Sequence, residues 1–277
     1  MTGAAAAPAP GASPVPEMRI HPALKEAKVL FEKREWDAAE LSYLKAAESP
    51  RVEDRIQAYE GLQHLYKKIR LSKKAFRAAR ALEEEKKFVS RLIPDDSSSY
   101  EIYTVKKGDA YSRIAVKRRI SVEWLTRANG GKVLKVGDKI RIPRYRDRLV
   151  VDKKEKKMYW LRGKKTVKIY PVSVGRVGSE TPEGEFEVVS KVAHPVWYWE
   201  KKVIPADSPQ NLLGTRWLGL NHKGYGIHGT RNPESIGAAR SHGCIRMHNK
   251  DVEEIFPWIP QGTKVIIHDG HRDVPGA

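Results

Sequence analysis

Tyr225-Gly226-Ile227-His228-Gly229-Thr230, followed after ten intervening residues by Ser241-His242-Gly243-Cys244-Ile245-Arg246-Met247, contains the only cysteine in the 277-residue chain. A lone thiol has no partner for an internal disulfide and cannot build a cysteine-rich zinc site. Its remaining roles are small buried hydrophobe, incidental residue or nucleophile. The neighbours favour the nucleophile: Gly243 lets the backbone come close to a bound molecule, and His228 and His242 are both candidate bases. A free thiol with a pKa of about 8.5 is mostly protonated at neutral pH, so a histidine must take the proton or hold it in an ion pair. His228 is the better base, because a strand-like run leads into it and presents its ring rigidly. His242, two residues from the thiol, is better placed to support the loop. Ser241 is the weaker nucleophile of the two on offer.

His228 and Cys244 stand sixteen residues apart. The stretch resembles the L,D-transpeptidase (YkuD-type) catalytic domain of bacterial cell-wall enzymes, whose signature is a histidine followed some fifteen residues later by Ser/Thr-His-Gly-Cys. Val150-Val151-Asp152, Tyr170-Pro171-Val172-Ser173-Val174-Gly175 and Thr181-Pro182-Glu183-Gly184-Glu185-Phe186 look like further family blocks in family order, so that the resemblance spans residues 148–270. Arg246 stands where many members carry asparagine. The resemblance implies a mainly-β sandwich with the cysteine on an edge loop and His228 as the base. It also implies that the Gly229 carbonyl orients the imidazole. Backbone N–H groups of Gly243 and Cys244 are the natural oxyanion donors, worth about 3 kcal/mol each in comparable enzymes.

The implied reaction is acyl transfer on peptidoglycan. Cys244 displaces D-Ala from a stem tetrapeptide, and an amine of a second stem resolves the thioester to give a 3-3 cross-link. Such a thiol is also a target for carbapenems. Water as acceptor would make the protein an L,D-carboxypeptidase or endopeptidase; a wall-bound scaffold that recruits partners is the non-enzymatic alternative. Arg246 is a candidate to hold a stem carboxylate through paired hydrogen bonds, with a structural salt bridge as the alternative. Ser241, Asn221, His222, Tyr225 and Trp217 are candidates for the substrate pocket; Trp197, Tyr198 and Trp199 fit either a core or a flap.

The rest of the chain supplies context. A net charge of +18 points to an acidic partner or surface, but the basic residues are scattered and no nucleic-acid-binding motif is present, so an anionic cell envelope fits better. No apolar run reaches the length of a membrane span, and no charged start with an apolar stretch marks a signal peptide. Residues 1–19 read as a disordered Ala/Pro-rich tether of the kind that follows a removed leader. With the implied activity, this places the protein outside the cytoplasm, in the envelope or periplasm. Histidines at 228, 242, 248 and 268 match no metal-ligand spacing, so neither a metal nor another cofactor is expected.

Residues 20–93 carry helical periodicity, with Trp36 at a turn and Pro50 ending a first hairpin. Ala39 and Ala75 lie 36 residues apart, near the tetratricopeptide period of 34, so the segment resembles two degenerate repeats and otherwise reads as plain helical hairpins. It is a candidate surface for a protein partner. Pro94-Asp95-Asp96-Ser97-Ser98-Ser99 forms a linker.

A strand beginning at Tyr103, helices over 112–116 and 122–128 and a closing strand at Ile140-Arg141-Ile142-Pro143 resemble a LysM module over residues 100–145. LysM modules bind glycan strands such as those of peptidoglycan, and Gly108, Asp109 and Asn129 mark the turns where backbone contacts to sugar would sit. The C-terminal region reads as strands at 150–151, 158–161, 166–174, 184–189 and 263–268, with one helix over 251–256 capped by Asn249, and a tail at 271–277. The whole is therefore multidomain α+β.

Overall fold

The computed structural model describes residues 20–200 and 202–270, and the expected tether and tail lie outside them. The chain divides into two compact units at the Leu92/Ile93 bond.

The first unit is all helix: α1 (Pro22–Glu32), α2 (Trp36–Ala47), α3 (Val52–Lys68) and α4 (Ser72–Leu92), each packed on the next. Proline at the first position suits α1, because that N–H would have no intrahelical acceptor. The spacing of alanine and leucine puts Leu24, Ala27, Ala39, Ala46, Ala58, Leu62 and Leu65 in one buried seam. Trp36 does not sit in the turn but opens α2, its ring edge-on to Phe31 at 5.4 Å. Arg55 is buried without cost in unpaired charge: its guanidinium meets both oxygens of Glu85 at 2.9 and 2.8 Å and the carbonyls of Ser49 and Pro50 at 3.0 Å.

The second unit opens with β1 (Tyr100–Thr104), α5 (Tyr111–Arg118), α6 (Val122–Ala128) and β2 (Lys139–Pro143), the strand-helix-helix-strand order read from the sequence. β1 starts three residues before the expected Tyr103 because Tyr100 pairs with Pro143 at the far end of the antiparallel ladder. Ile114, Trp124, Leu125, Ile140 and Ile142 fill the small core between helices and ribbon. Ser121 caps α6 by accepting the Trp124 N–H at 3.1 Å and donates its own hydroxyl to the Pro257 carbonyl at 3.0 Å. Arg127 lies over the Trp258 ring at 5.3 Å, and the Tyr145 ring stands edge-on to Trp124 at 6.3 Å while stacking under Arg162 at 4.2 Å. The small module is thereby seated on the region that follows.

That region is built from β3 (Asp147–Asp152), β4 (Lys157–Arg162), β5 (Lys165–Pro171), β6 (Val174–Gly175), β7 (Gly184–Ala193), β8 (Trp197–Trp199), β9 (Lys202–Ile204), β10 (Arg216–Leu220), β11 (Gly226–His228), β12 (Ala239–Ser241), β13 (Ile245–Arg246), α7 (Asn249–Ile255) and β14 (Lys264–His268). One eight-stranded sheet runs β13-β11-β10-β7-β14-β3-β4-β5. The two halves of the expected sandwich share β7: its first residues, Gly184–Glu187, pair with β14, and from Val188 onward it pairs with β10. β3 and β4 are buried on both faces, which is why Leu149-Val150-Val151 and Met158-Tyr159-Trp160-Leu161 read as unbroken apolar runs without alternation. Asn249 does not cap α7; it is the first helical residue, and His248 occupies the cap position without a side-chain bond. Among the described residues, no helix is long and apolar enough to cross a membrane.

Candidate active site

His228 closes β11, which lies parallel to β13 with Ile227 opposite Ile245 and His228 opposite Arg246. The sixteen-residue excursion between the histidine and the cysteine therefore returns to the same sheet edge. Cys244 enters β13 level with Gly226, beside the strand that carries the imidazole. His228 is buried, with its ring stacked on Trp217 at 5.6 Å between centroids and 25° between planes. Its Nδ1 is 2.6 Å from the Gly229 carbonyl oxygen. A carbonyl only accepts, so Nδ1 carries the hydrogen and Nε2 keeps its lone pair. Burial drives the His228 pKa down to about 4, with Arg246 adding to that effect and the Gly229 and Leu213 backbone opposing it. Burial likewise pushes the Cys244 thiol up, against a backbone hydrogen bond from Gly226 and the charge of Arg246. At neutral pH both groups are thus uncharged. The thiol hydrogen points to the Gly224 carbonyl, 3.5 Å from Sγ.

The cysteine loop is held from inside. Ser241 is fully buried; its Oγ accepts the Gly243 N–H at 3.1 Å and donates to the Cys244 carbonyl at 2.5 Å. It is therefore a brace of the loop and not a pocket-lining group as expected. The same bond corrects the expected oxyanion pair, because the Gly243 N–H is already engaged, whereas the Cys244 N–H donates to no described residue. Thr181, absent from the sequence-derived candidates, donates to the Gly243 carbonyl at 2.9 Å and accepts the Gly175 N–H at 2.8 Å. Gly243 has φ of +109°, and a Cβ there would sit 2.6 Å from the Tyr225 ring, so only glycine fits.

Asn249 braces the histidine side. Its Oδ1 accepts the N–H groups of Thr215 and Thr230 at 3.2 and 3.1 Å, and its Nδ2 donates to the Thr230 carbonyl at 2.9 Å. The amide packs so closely on Gly229 that a Cβ at that glycine would lie 2.1 Å from Oδ1. The sequence pattern marks Asn249 only as a helix cap; its position just after the cysteine strand is the signal of a role in the site. A cavity of about 360 Å³ lies against this brace, lined by His194, Asp207, Gly214, Thr215, Arg231 and Asn249, and includes neither Cys244 nor His228.

Arg246 is half-buried, forms no ion pair with a described residue, and leaves a buried Nε without an acceptor. The structural salt bridge considered for it is therefore not formed. His242 is exposed, its ring 5.9 Å from Trp199 on the β8–β9 hairpin. Trp199 and Tyr198 are 41% and 60% exposed, which places this aromatic run on a surface hairpin and not in the core. Tyr225 packs on Gly243 and on His222 at 4.6 Å. Asn221 is turned to other work: its Oδ1 accepts the Glu187 N–H at 2.9 Å and ties β10 to β7.

In the βααβ module the two marked polar side chains bond to their own domain. Asp109 accepts the Lys106 N–H and the Tyr103 hydroxyl, both at 2.8 Å, and these bonds hold its carboxyl below the usual range. Asn129 accepts the Arg141 N–H at 2.7 Å and donates to the Leu125 and Arg141 carbonyls at 2.8 and 3.0 Å. Gly108 turns at φ of +86°. Asn129 spends both of its amide hydrogens on backbone carbonyls, whereas Asp109 is held through Oδ2 alone.

A histidine strand and a Ser-His-Gly-Cys loop side by side on a curled sheet, with a βααβ module ahead of them, are the build of a wall-polymer transpeptidase. Comparison with known proteins agrees. The L,D-transpeptidase catalytic domain of the YkuD family matches residues 146–267, and the LysM domain matches residues 103–143. "Putative L,D-transpeptidase YqjB" of Bacillus subtilis is 43% identical over 129 residues, covering 45% of this chain and 72% of its own length. "Putative L,D-transpeptidase YkuD" of the same organism is 38% identical over 174 residues, covering 60% of this chain and 98% of its own. The solved L,D-transpeptidase 3 from Mycobacterium tuberculosis, in complex with a faropenem-derived adduct, aligns over 62% of this chain and 92% of its own at 18% identity, with a TM-score of 0.39. The chain belongs to the L,D-transpeptidase family, and its second unit begins with a LysM domain.

Proposed function

We propose that this protein is a peptidoglycan L,D-transpeptidase of the cell envelope in which Cys244 is the nucleophile and His228 its base. The observation that carries the reading is the Nδ1-H bond to the Gly229 carbonyl, which leaves Nε2 of a buried, neutral imidazole as a proton acceptor on the strand beside the thiol. A neutral Cys/His pair fits a base that acts when substrate arrives, with no standing ion pair.

In this reading Sγ attacks the carbonyl that joins the third residue of a stem tetrapeptide to its terminal D-Ala, while Nε2 takes the thiol proton. The Cys244 N–H receives the developing oxyanion. The carbon–nitrogen bond then breaks, the imidazolium returns its proton to the departing D-Ala amine, and the stem remains as a thioester. An amine of a second stem, deprotonated by the same imidazole, displaces Sγ and forms the 3-3 link. Arg246, with an unengaged Nε, holds a stem carboxylate. The LysM module supplies the glycan contact through the backbone of the turns at Gly108-Asp109 and after Asn129.

The test is release of D-Ala from purified tetrapeptide muropeptides by the wild type and by Cys244→Ala. Release lost in the variant supports the reading, and unchanged release sinks it. Mass spectrometry of the products then separates cross-linked dimers from hydrolysed tripeptides. A carbapenem adduct on the intact protein, absent from Cys244→Ala, would mark the same acyl-enzyme.

A further inference from the structure

The two helical hairpins contain an internal comparison. Their turns correspond at an offset of 36 residues, which aligns the buried Ala39 with the buried Ala75. Both turns pass through an arginine in left-handed backbone, Arg34 at φ 61° and Arg70 at φ 59°. Both close with the same bond, Glu35 N–H to the Leu30 carbonyl at 3.0 Å and Leu71 N–H to the Tyr66 carbonyl at 2.8 Å. The side chains diverge where the backbone does not. At this offset Glu35, Asp37 and Glu40 of the first turn become Leu71, Lys73 and Phe76 in the second.

Residues 61–82 hold Lys67, Lys68, Arg70, Lys73, Lys74, Arg77 and Arg80 and no acid. Lys74 is taken by Glu40 at 2.7 Å. The other six are exposed and ion-pair with no described residue. Among them stand Leu71, 42% exposed, and Phe76, 68% exposed. α4 therefore starts on lysines, with no acid in its first turn, where the helix dipole favours carboxylates; α2 keeps Asp37 there. Lys73, Phe76, Arg77 and Arg80 follow the i, i+3, i+4, i+7 spacing of a single helix face.

We propose that this α3–α4 turn is a docking surface for an anionic phospholipid bilayer. A soluble polyanion would be met by the cations alone. A phenyl ring and a leucine displayed among six unpaired cations match a layered partner, with negative headgroups lying over an apolar interior. The surface is independent of Cys244, and nothing in the first hairpin reproduces it.

The test is co-sedimentation of the full chain with vesicles of phosphatidylcholine alone and of phosphatidylcholine mixed with phosphatidylglycerol. Binding is expected to the mixed vesicles only. Combined Lys73→Glu, Arg77→Glu and Arg80→Glu should weaken it about tenfold or more, and Phe76→Ser, which alters no charge, several-fold. Asp37→Lys in the first turn should not weaken it, and helical circular dichroism and thermal melts matching the wild type should report that all of these exposed-site variants fold. Absence of binding to the mixed vesicles overturns the proposal, as does binding unaltered by the triple charge reversal. Binding indifferent to Phe76→Ser and fully competed by polyphosphate overturns it too, in favour of a polyanion site.

Discussion

Asn129 in the LysM module and Asn249 beside the catalytic-loop strand use the same device. Each places its amide between chain segments distant in sequence, accepting backbone N–H through Oδ1 and donating backbone-ward through Nδ2. What differs is what the clamped backbone holds. Behind Asn129 are the end of α6 and β2, so the clamp ends in the fold itself. Behind Asn249 is the Gly229–Thr230 turn, whose carbonyl fixes the tautomer of His228. The catalytic region keeps the Cys244 N–H and a buried Arg246 Nε without a partner among the described residues, whereas Asn129 spends both amide hydrogens on backbone carbonyls.

The sharpest break in the comparison is Cys244→Ala, expected to lower D-Ala release by about 10⁴-fold or more with the melting temperature unchanged; residual release near the wild-type rate would remove the thiol from the reaction. Next comes Asn249→Ala. Loss of the Thr215 and Thr230 bonds frees the Gly229 carbonyl, and kcat should fall about 100-fold with a displaced acid limb of the pH–rate profile, read by steady-state kinetics. A loss of stability alone, with kcat intact, would make Asn249 a copy of Asn129.

The buried imidazole gives a pH signature of related size. A histidine with an ordinary pKa near 6.5 unfolded and about 4 folded binds its proton first in the unfolded chain, so stability is complete above about pH 6.5 and declines as the pH falls toward 4. The expected decline is on the order of 3 kcal/mol by urea titration, and His228→Gln should flatten it. Asn129→Ala should cost about 2 kcal/mol of stability without altering kcat on soluble muropeptides, checked by thermal melts alongside kinetics. The smallest effect expected is a roughly tenfold rise in KM for Arg246→Gln with kcat nearly preserved, consistent with the loss of one charge-assisted contact to substrate.

Much of the architecture was legible because it rests on local patterns. The doubly buried β3 and β4, the βααβ order and the helical seam through Ala39 and Ala75 all announce themselves in periodicity and punctuation. His228 and Cys244 were singled out through the resemblance of their blocks to a known family, and β11 and β13 lie side by side. What sequence could not give was the direction in which side chains bond. Ser241 and Asn221 read as pocket residues from the sequence, and each is turned onto backbone. Thr181 was missed because its partner Gly243 lies 62 residues away, and Asn249 because its amide serves turns 19 and 34 residues upstream. These contacts exist only once β6, β11 and β13 are brought together.

Ser121 spans two jobs, helix cap and donor to Pro257, and with Arg127 on Trp258 it fastens the LysM module directly to the catalytic region. A tether lets an enzyme wander over whatever lies within its length; a rigid mount works as a gauge. Under the proposed function, a sugar held at one end would fix how far along the polymer the thiol at the other end falls, so that the wall itself would set which stems come into register and which are skipped.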